Sequence, residues 1–468
     1  MKRHTGTKRP EATEADHATL KQTRLQHTVE YAYDHSPFYR ELMQANGLTP
    51  TDAQTTDDLT QLPIVEPSDV LANQPPVTDQ FRFKATDAQI RRPFHTSGTT
   101  GQPKTIFKSH DEMDRIYDDV QRGFEHFGVT PTDVVVNYCP FVGLNISCMG
   151  TEGGLARLGC TTVPIANTPY PVDREAEILQ EHQPSVVHGL ASHIDAKGHQ
   201  LRDAGYDPAA SDIDLVVVVG EPVSESRKER LGDLYDAEVV EYVGSTEAGA
   251  FAFECPEDGF LHVLDTSVHV EVVDDDGAPL PAGEQGRLVV TNLLNPISES
   301  GMPLLRYAIG DVVSIVEDAN PCSCPLDSDC KITPPRRSGW QFILGAVNLT
   351  TQTFEDVIYS HPELKAVAAD YQVHVEHDPT TGQEVATLLI ESVDEGLVGQ
   401  VVDDMAAVTT PMTTAETLGT MLLERNSHLT EVVENTEVVR LAIQIVDNID
   451  TGDGKPQQLV DQRGVGGA

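Results

Sequence analysis

The chain has 468 residues, of which 39% are hydrophobic, so a globular protein with more than one hydrophobic core is expected. Against 32 Lys and Arg stand 74 Asp and Glu, a formal net charge of −42, which disfavours nucleic-acid binders and proteins of anionic membrane surfaces, because both need clustered positive charge. No stretch reaches the roughly 20 consecutive apolar residues of a membrane span, and the basic start Met1-Lys2-Arg3-His4 runs into polar sequence rather than an apolar signal core, which points to the cytoplasm.

In chain order, apolar residues at helical spacing predict a helix over residues 15–47, closing at Asn46-Gly47. Thr49 to Asp58 is polar and reads as a connector. From about Phe94, short β-branched runs alternate with helical stretches. The strands are Asp133–Val136, Thr161–Ile165, Ser185–Val187 and Leu215–Val219, with a helix over 191–204 between the last two. Buried runs separated by helices predict a parallel α/β sheet. His269–Val273, the Asp274-Asp275-Asp276-Gly277 turn and Gly286–Val290 predict a β-meander. A break at Pro334-Pro335-Arg336-Arg337-Ser338-Gly339 separates about 130 residues with their own strands, enough for a small α+β domain. The expectation is a large multi-subdomain α/β domain over 1–337, with parallel sheets and a β-meander, and a small α+β domain over 338–468.

The acidic excess matches proteins of salt-loaded cytoplasms, where self-repulsion is screened. Seven cysteines, an odd number, with no signal peptide favour reduced thiols or metal ligands over a disulfide framework.

The most informative stretch is His95-Thr96-Ser97-Gly98-Thr99-Thr100-Gly101-Gln102-Pro103-Lys104. Its glycines let the backbone approach a ligand, its N–H groups and hydroxyls suit phosphate oxygens, and Lys104 adds a positive charge. It is not a Walker A loop, because no Gly-Lys-Ser/Thr occurs.

This stretch resembles the phosphate loop of the ANL superfamily of adenylate-forming enzymes: acyl-CoA synthetases, peptide-synthetase adenylation domains and luciferases. Tyr242-Val243-Gly244-Ser245-Thr246-Glu247, the Pro303–Asp311 region and Gly454-Lys455-Pro456-Gln457 resemble further superfamily motifs, in the same order. Within the superfamily the chain is similar to phenylacetate–CoA ligases, through Thr28–Tyr39, Gly220-Glu221-Pro222 and a Cys/His pattern.

The resemblance implies ATP, Mg²⁺ and CoA as cofactor and co-substrates and a small-molecule carboxylic acid as substrate. Thr246 would contact the α-phosphate, Glu247 would ligate Mg²⁺ and Lys455 would bridge the carboxylate and α-phosphate during adenylation. Thr96, Ser97, Gly98, Thr99, Thr100, Gly101 and Lys104 would hold the pyrophosphate side. Gly220, Glu221, Pro222, Tyr242, Gly244 and Ser245 would line the nucleotide, with Asp311 and Arg337 at the ribose. Tyr138, Phe141, Ile146 and Ser192 would build an apolar acyl pocket. Small-domain rotation and a homodimer built on the N-terminal helical segment are also implied.

Cys255-x6-His262 and Cys322-x-Cys324 offer three thiolates and an imidazole, a donor set for tetrahedral structural Zn²⁺, with unliganded thiols as the alternative. The pattern departs from the family at Val243, where an aromatic residue usually stacks on adenine, at Ala308-Ile309, at Gly339-Trp340 in the hinge, and at Gly345-Ala346-Val347-Asn348 by the thiol tunnel. The leading expectation is an aromatic acid:CoA ligase. An adenylyltransferase acting on a deazaflavin coenzyme and a non-catalytic nucleotide-binding homologue are the alternatives.

Overall fold

The computed structural model describes residues 14–96, 103–139, 144–165, 170–221, 223–317, 330–337, 341–344, 347–378, 383–408, 413–426, 439–449 and 459–461, with single positions 322, 326, 411, 429, 430 and 433. Among the described residues, no helix is long and apolar enough to cross a membrane.

The N-terminal helical stretch is two helices, α1 (Glu14–His35) and α2 (Pro37–Ala45), where the spacing predicts one. Pro37 has no N–H to continue α1, and Ser36 before it is extended and caps α2 with its hydroxyl. The connector that follows forms two short 3₁₀ turns, Pro50–Asp52 and Asp57–Gln61, and leads to α3 (Pro67–Ala72). A hairpin of β1 (Ile90–His95) and β2 (Thr105–Ser109) flanks the predicted phosphate loop, and α4 (His110–His126) follows behind a Ser109/Glu112 capping box.

The α/β core then alternates β3 (Val134–Asn137), α5 (Ser147–Leu158), β4 (Thr161–Pro164), α6 (Val172–His182), β5 (Val186–Gly189), α7 (Ala191–Asp203), β6 (Leu215–Val219), α8 (Glu225–Tyr235) and β7 (Glu238–Ser245). Strands β4-β3-β5-β6-β7 pair in parallel in that order. All five residues of β6 are buried, as a strand covered on both faces requires. Strands β8 (Gly249–Glu254), β9 (Leu261–Val263) and β13 (Lys331–Ile332) extend the sheet antiparallel. A second, antiparallel sheet has the order β10 (Val268–Val273), β11 (Gln285–Asn292), β12 (Tyr307–Ser314) and β14 (Arg336–Arg337), which is the expected meander. Gly277, at a φ of 84°, turns the chain after Asp274 and needs glycine's freedom there.

Beyond residue 340 lie the hairpin β15 (Gln341–Leu344) and β16 (Val347–Thr350), helices α9 (Thr351–Ile358) and α10 (Thr414–Arg425), and a mixed five-stranded sheet. That sheet runs β19 (Val401–Val402), β20 (Val439–Val446), β18 (Glu384–Ser392), β17 (Ala368–His377), β21 (Leu459–Asp461). Among the described residues, its apolar cluster, from Leu344 to Ile445 with Leu459 packed on it, draws no member from the first 340 positions.

Candidate active site

The Tyr242–Glu247 motif runs from the end of β7 into the turn toward β8. A Cβ at Gly244 would lie 3.0 Å from the Gly249 carbonyl oxygen, so glycine is what lets the two strands close. The Ser245 hydroxyl accepts from Ala248 N at 2.9 Å and fixes the turn. Glu247 is thereby held at the sheet's end, 5% exposed.

Three separate segments converge on that carboxylate. Lys104 Nζ, just past the phosphate loop, lies 2.9 Å from Glu247 Oε1. Tyr307 Oη, at the start of β12, donates to the same oxygen at 3.0 Å and accepts from Lys104 Nζ at 3.0 Å. Burial raises the Glu247 pKa, but the Lys104 ammonium and the hydrogen bonds outweigh it and hold the group below the usual range. Burial, with the anion beside it, raises the Tyr307 phenol, so it is a donor at any working pH. The Glu247 carbonyl is fixed in turn by Lys108 Nζ at 2.6 Å and Asn292 Nδ2 at 3.1 Å. Thr96 N donates to the Lys104 carbonyl and Lys104 N to Thr96 Oγ1, both at 3.1 Å. These bonds close the base of the loop.

Tyr307, Lys108 and Asn292 were invisible as functional residues. Tyr307 stands inside the Pro303–Asp311 motif without a role in the sequence reading, and Lys108 four residues past Lys104 carries no motif signal. In the same region, Arg306 is structural: its guanidinium is 3.0 Å from Glu271 and donates to the Leu62 carbonyl at 2.6 Å. Asp311 is 9% exposed and follows Gly310, whose φ is 86°. The β11–β12 register shifts here, placing a bulge at the residue expected to meet ribose.

On the other side of β7, Gly220 has a φ of 86° at the C-terminal end of β6, where ligands of such sheets bind. Glu221 accepts from the Ser192 backbone N–H and from Ser192 Oγ, the latter at 3.0 Å, at the N-terminus of α7. Tyr138 stacks on His193 at 5.5 Å between ring centres and donates to Glu175 Oε1 at 2.7 Å. Ile146 belongs to a different apolar cluster, with Phe94, Met113, Ile116 and Tyr117. The Tyr242 ring packs against Phe253 and His188 in the core, and its backbone borders the motif turn.

Ser97, Gly98, Thr99, Thr100, Gly101, Phe141, Pro222, Cys324, Lys455, Gly345 and Ala346 lie outside the described residues, as does the Arg337 side chain. The Arg337 backbone pairs with Asp311 across β14 and β12.

The Cys/His pattern assembles at the far edge of the main sheet. One donor atom from each of Cys255, Asp258, His262 and Cys322 lies within 4.8 Å of all the others, and the two sulfurs are 3.1 Å apart. Asp258 was not expected there; its carboxylate is also 2.8 Å from Lys331 Nζ. Two thiols, an imidazole and a carboxylate are a donor set that Zn²⁺ accepts.

Residues 10–293, more than half of the chain, match the AMP-binding enzyme family. The chain is 27% identical to the phenylacetate–coenzyme A ligase of Thermus thermophilus over 366 residues, covering 77% of this chain and 78% of that one. It is 25% identical to the corresponding ligase of Aromatoleum evansii, covering 83% and 84%. Its fold matches a 2-hydroxyisobutyryl-CoA ligase in the postadenylation state with a TM-score of 0.77, at 19% identity, covering 97% of this chain and 91% of that one. The anthranilate CoA ligase AuaEII matches with a TM-score of 0.55 at 16% identity, covering 82% and 67%. The fold and site therefore define an adenylate-forming enzyme, and the chain belongs to the AMP-binding enzyme family. Within that family it is an acid–CoA ligase of the AMP-forming, phenylacetate–CoA ligase-like kind.

Proposed function

We propose that this enzyme activates an aromatic carboxylic acid resembling phenylacetate as its acyl-adenylate and then transfers the acyl group to CoA. The observation that carries the reading is the convergence of Lys104, Glu247 and Tyr307 from the phosphate-loop hairpin, the β7–β8 turn and β12. Carboxylate attack on the α-phosphorus gathers negative charge, so catalysis is positioning plus electrostatic stabilisation. Glu247 would hold Mg²⁺, whose chemistry is to neutralise phosphate charge, and Thr246 would contact the α-phosphate; a buried, hydrogen-bonded carboxylate suits a hard cation. Lys104 supplies a charge on the pyrophosphate side, Asp311 the ribose contact, and Lys455 the cation between the reacting carboxylate and α-phosphate. The small C-terminal unit, residues 338–468, acts as a lid over the large one.

The aromatic substrate is supported by the relatives named phenylacetate–coenzyme A ligase and by the ring pair Tyr138–His193 beside Ser192 and Glu221. Zn²⁺ held by Cys255, His262, Cys322 and Cys324 would brace the β9–β13 edge, with Asp258 beside it. The acidic surface fits a protein working in molar salt.

Pyrophosphate release in molar KCl, against a panel of carboxylic acids and a deazaflavin, with and without CoA, tests the reading. Release that needs an aryl acid, with CoA consumed, is expected. Release with deazaflavin alone would replace the ligase with a nucleotidyl transferase, and no cleavage of ATP with any acid would remove the activity. Lys455→Ala should lose adenylation while keeping ATP binding.

A further inference from the structure

The carboxylate assigned to Mg²⁺ already has a cation. Lys104 Nζ and Tyr307 Oη both meet Glu247 Oε1, at 2.9 and 3.0 Å, so a divalent ion on that carboxylate would be set against an ammonium at contact distance and repelled by it. We propose that Lys104 is the resting counter-ion of Glu247, that Mg²⁺ arriving with ATP displaces it, and that Tyr307 keeps the carboxylate in register through the exchange. The inference rests on reading Glu247 as the Mg²⁺ ligand.

The three partners differ in the freedom the exchange requires. Lysine is a compact charge on a flexible four-carbon stem; the Lys104 side chain is 16% exposed and directly follows the loop that would hold the phosphates. Released from Glu247, its ammonium would pair with the phosphate charge that arrives with Mg²⁺. Tyr307 has no such freedom. It is fully buried, its ring belongs to the main apolar cluster, and its backbone pairs with Val65. Its phenol hydrogen goes to Glu247 whether or not Lys104 is present. Lys108 and Asn292 fix the Glu247 carbonyl, which confines the change to side chains.

The exchange couples two ligands. Mg²⁺ alone would leave the Lys104 ammonium without a counter-ion in a half-buried site, and nucleotide alone would draw Lys104 away from a buried carboxylate. Either binding event is therefore weak by itself and strengthened by the other, which is a coupling free energy.

Thermal unfolding of the nucleotide-free full chain in molar KCl, which screens diffuse Mg²⁺ binding to the acidic surface, reads the exchange without activity. Lys104→Gln should melt lower than wild type and be restored by millimolar MgCl₂, whereas wild type and Lys104→Gln/Glu247→Gln should not respond. Tyr307→Phe, which preserves the ring, should raise the Mg²⁺ concentration giving half-maximal pyrophosphate release by about tenfold, the scale of one hydrogen bond to a charged group. That shift in Mg²⁺ dependence is a readout a merely structural loss would not move. No Mg²⁺ response in Lys104→Gln, with Glu247→Gln inactive, overturns the exchange and leaves Glu247 as the metal ligand. Full activity of Glu247→Gln removes both.

Discussion

The Arg227 guanidinium on α8 lies 5.4 Å from the centre of the Tyr359 ring and 3.4 Å from the Glu355 carboxylate. Arg227 is 1% exposed, and Arg230, one turn further along, lies 5.1 Å from the same ring and also donates to the Lys365 carbonyl. The units before and after residue 340 thus meet through charge and aromatic contact, while their apolar clusters stay separate. Such interfaces open more readily than apolar ones. Removing one partner of a buried pair costs about 3–5 kcal/mol, so Arg227→Ala should undock the C-terminal unit while each unit keeps its core. Small-angle scattering should show a larger radius of gyration. Unchanged scattering would show that α8 does not carry the docking. Arg227→Lys keeps the charge but loses the planar stacking, and should fall between the two.

Lys108 has no exposed surface, yet its ammonium donates to the Glu247 carbonyl at 2.6 Å and stands 3.5 Å from Glu112. Glu112 also accepts from Ser109 N at 3.0 Å and Gly301 N at 2.6 Å, tying the start of α4 to the loop before β12. Lys108→Met would strand the Glu112 charge and should lower stability by about 3–5 kcal/mol. Lys108→Met/Glu112→Gln should recover part of that loss in denaturant titration. A double variant no more stable than the single would show that the pair is not the source.

The acid limb of stability should come largely from buried neutral histidines. His188 is fully buried, and its proton position follows from its neighbours. Glu152 can only accept, so Asn137 Nδ2 donates to it at 2.8 Å and Asn137 Oδ1 faces His188 Nδ1 at 3.0 Å. His188 Nδ1 therefore carries the hydrogen, and Nε2 accepts from Tyr242 Oη at 3.1 Å. Burial lowers the His188 pKa from 6.5 to about 3 and that of His269 to about 3. With folded values below unfolded ones, the stabilisation is complete above about pH 6.5 and is lost as the pH falls toward 3. His188→Gln should flatten the slope of unfolding free energy against pH in that window. An unchanged slope between pH 6.5 and 4 would assign the acid limb to other groups.

How much of this was legible beforehand varies with the physical signal. The parallel strands were readable because runs such as Leu215-Val216-Val217-Val218-Val219 are long, apolar and bounded by turn residues. The break between α1 and α2 was readable in principle from Ser36-Pro37, but apolar spacing continues across it and masks the stop. Glu247 and Asp311 stood out because they sit in ordered motifs. Lys108 and Tyr307 did not, because a buried lysine and a core tyrosine look like any others until the sheet brings them to Glu247. Tyr242 shows the converse: its motif position suggested a ligand contact, whereas alternation along β7 sends its ring into the core. Asp258 was missed because it joins Cys255 and His262 only once the turn before β9 folds back.

That turn sets up the metal prediction. Cys255, His262 and Cys322 each place a donor atom in one 4.8 Å cluster, and Asp258 completes it among the described residues. The Asp258 carboxylate is also bound to Lys331 at 2.8 Å, which favours a role beside the metal over one on it, with Cys324 as the fourth ligand of a Cys₃His site. Purified protein should contain one zinc per chain, and chelation should lower its melting temperature, because binding to the folded state is folding free energy. Cys324→Ser should lose the metal, whereas Asp258→Asn should keep it with affinity reduced about 10- to 100-fold, the usual effect of losing an outer partner. Full zinc in Cys324→Ser with none in Asp258→Asn would give the fourth position to Asp258, and no zinc in wild type would leave these cysteines as reduced thiols.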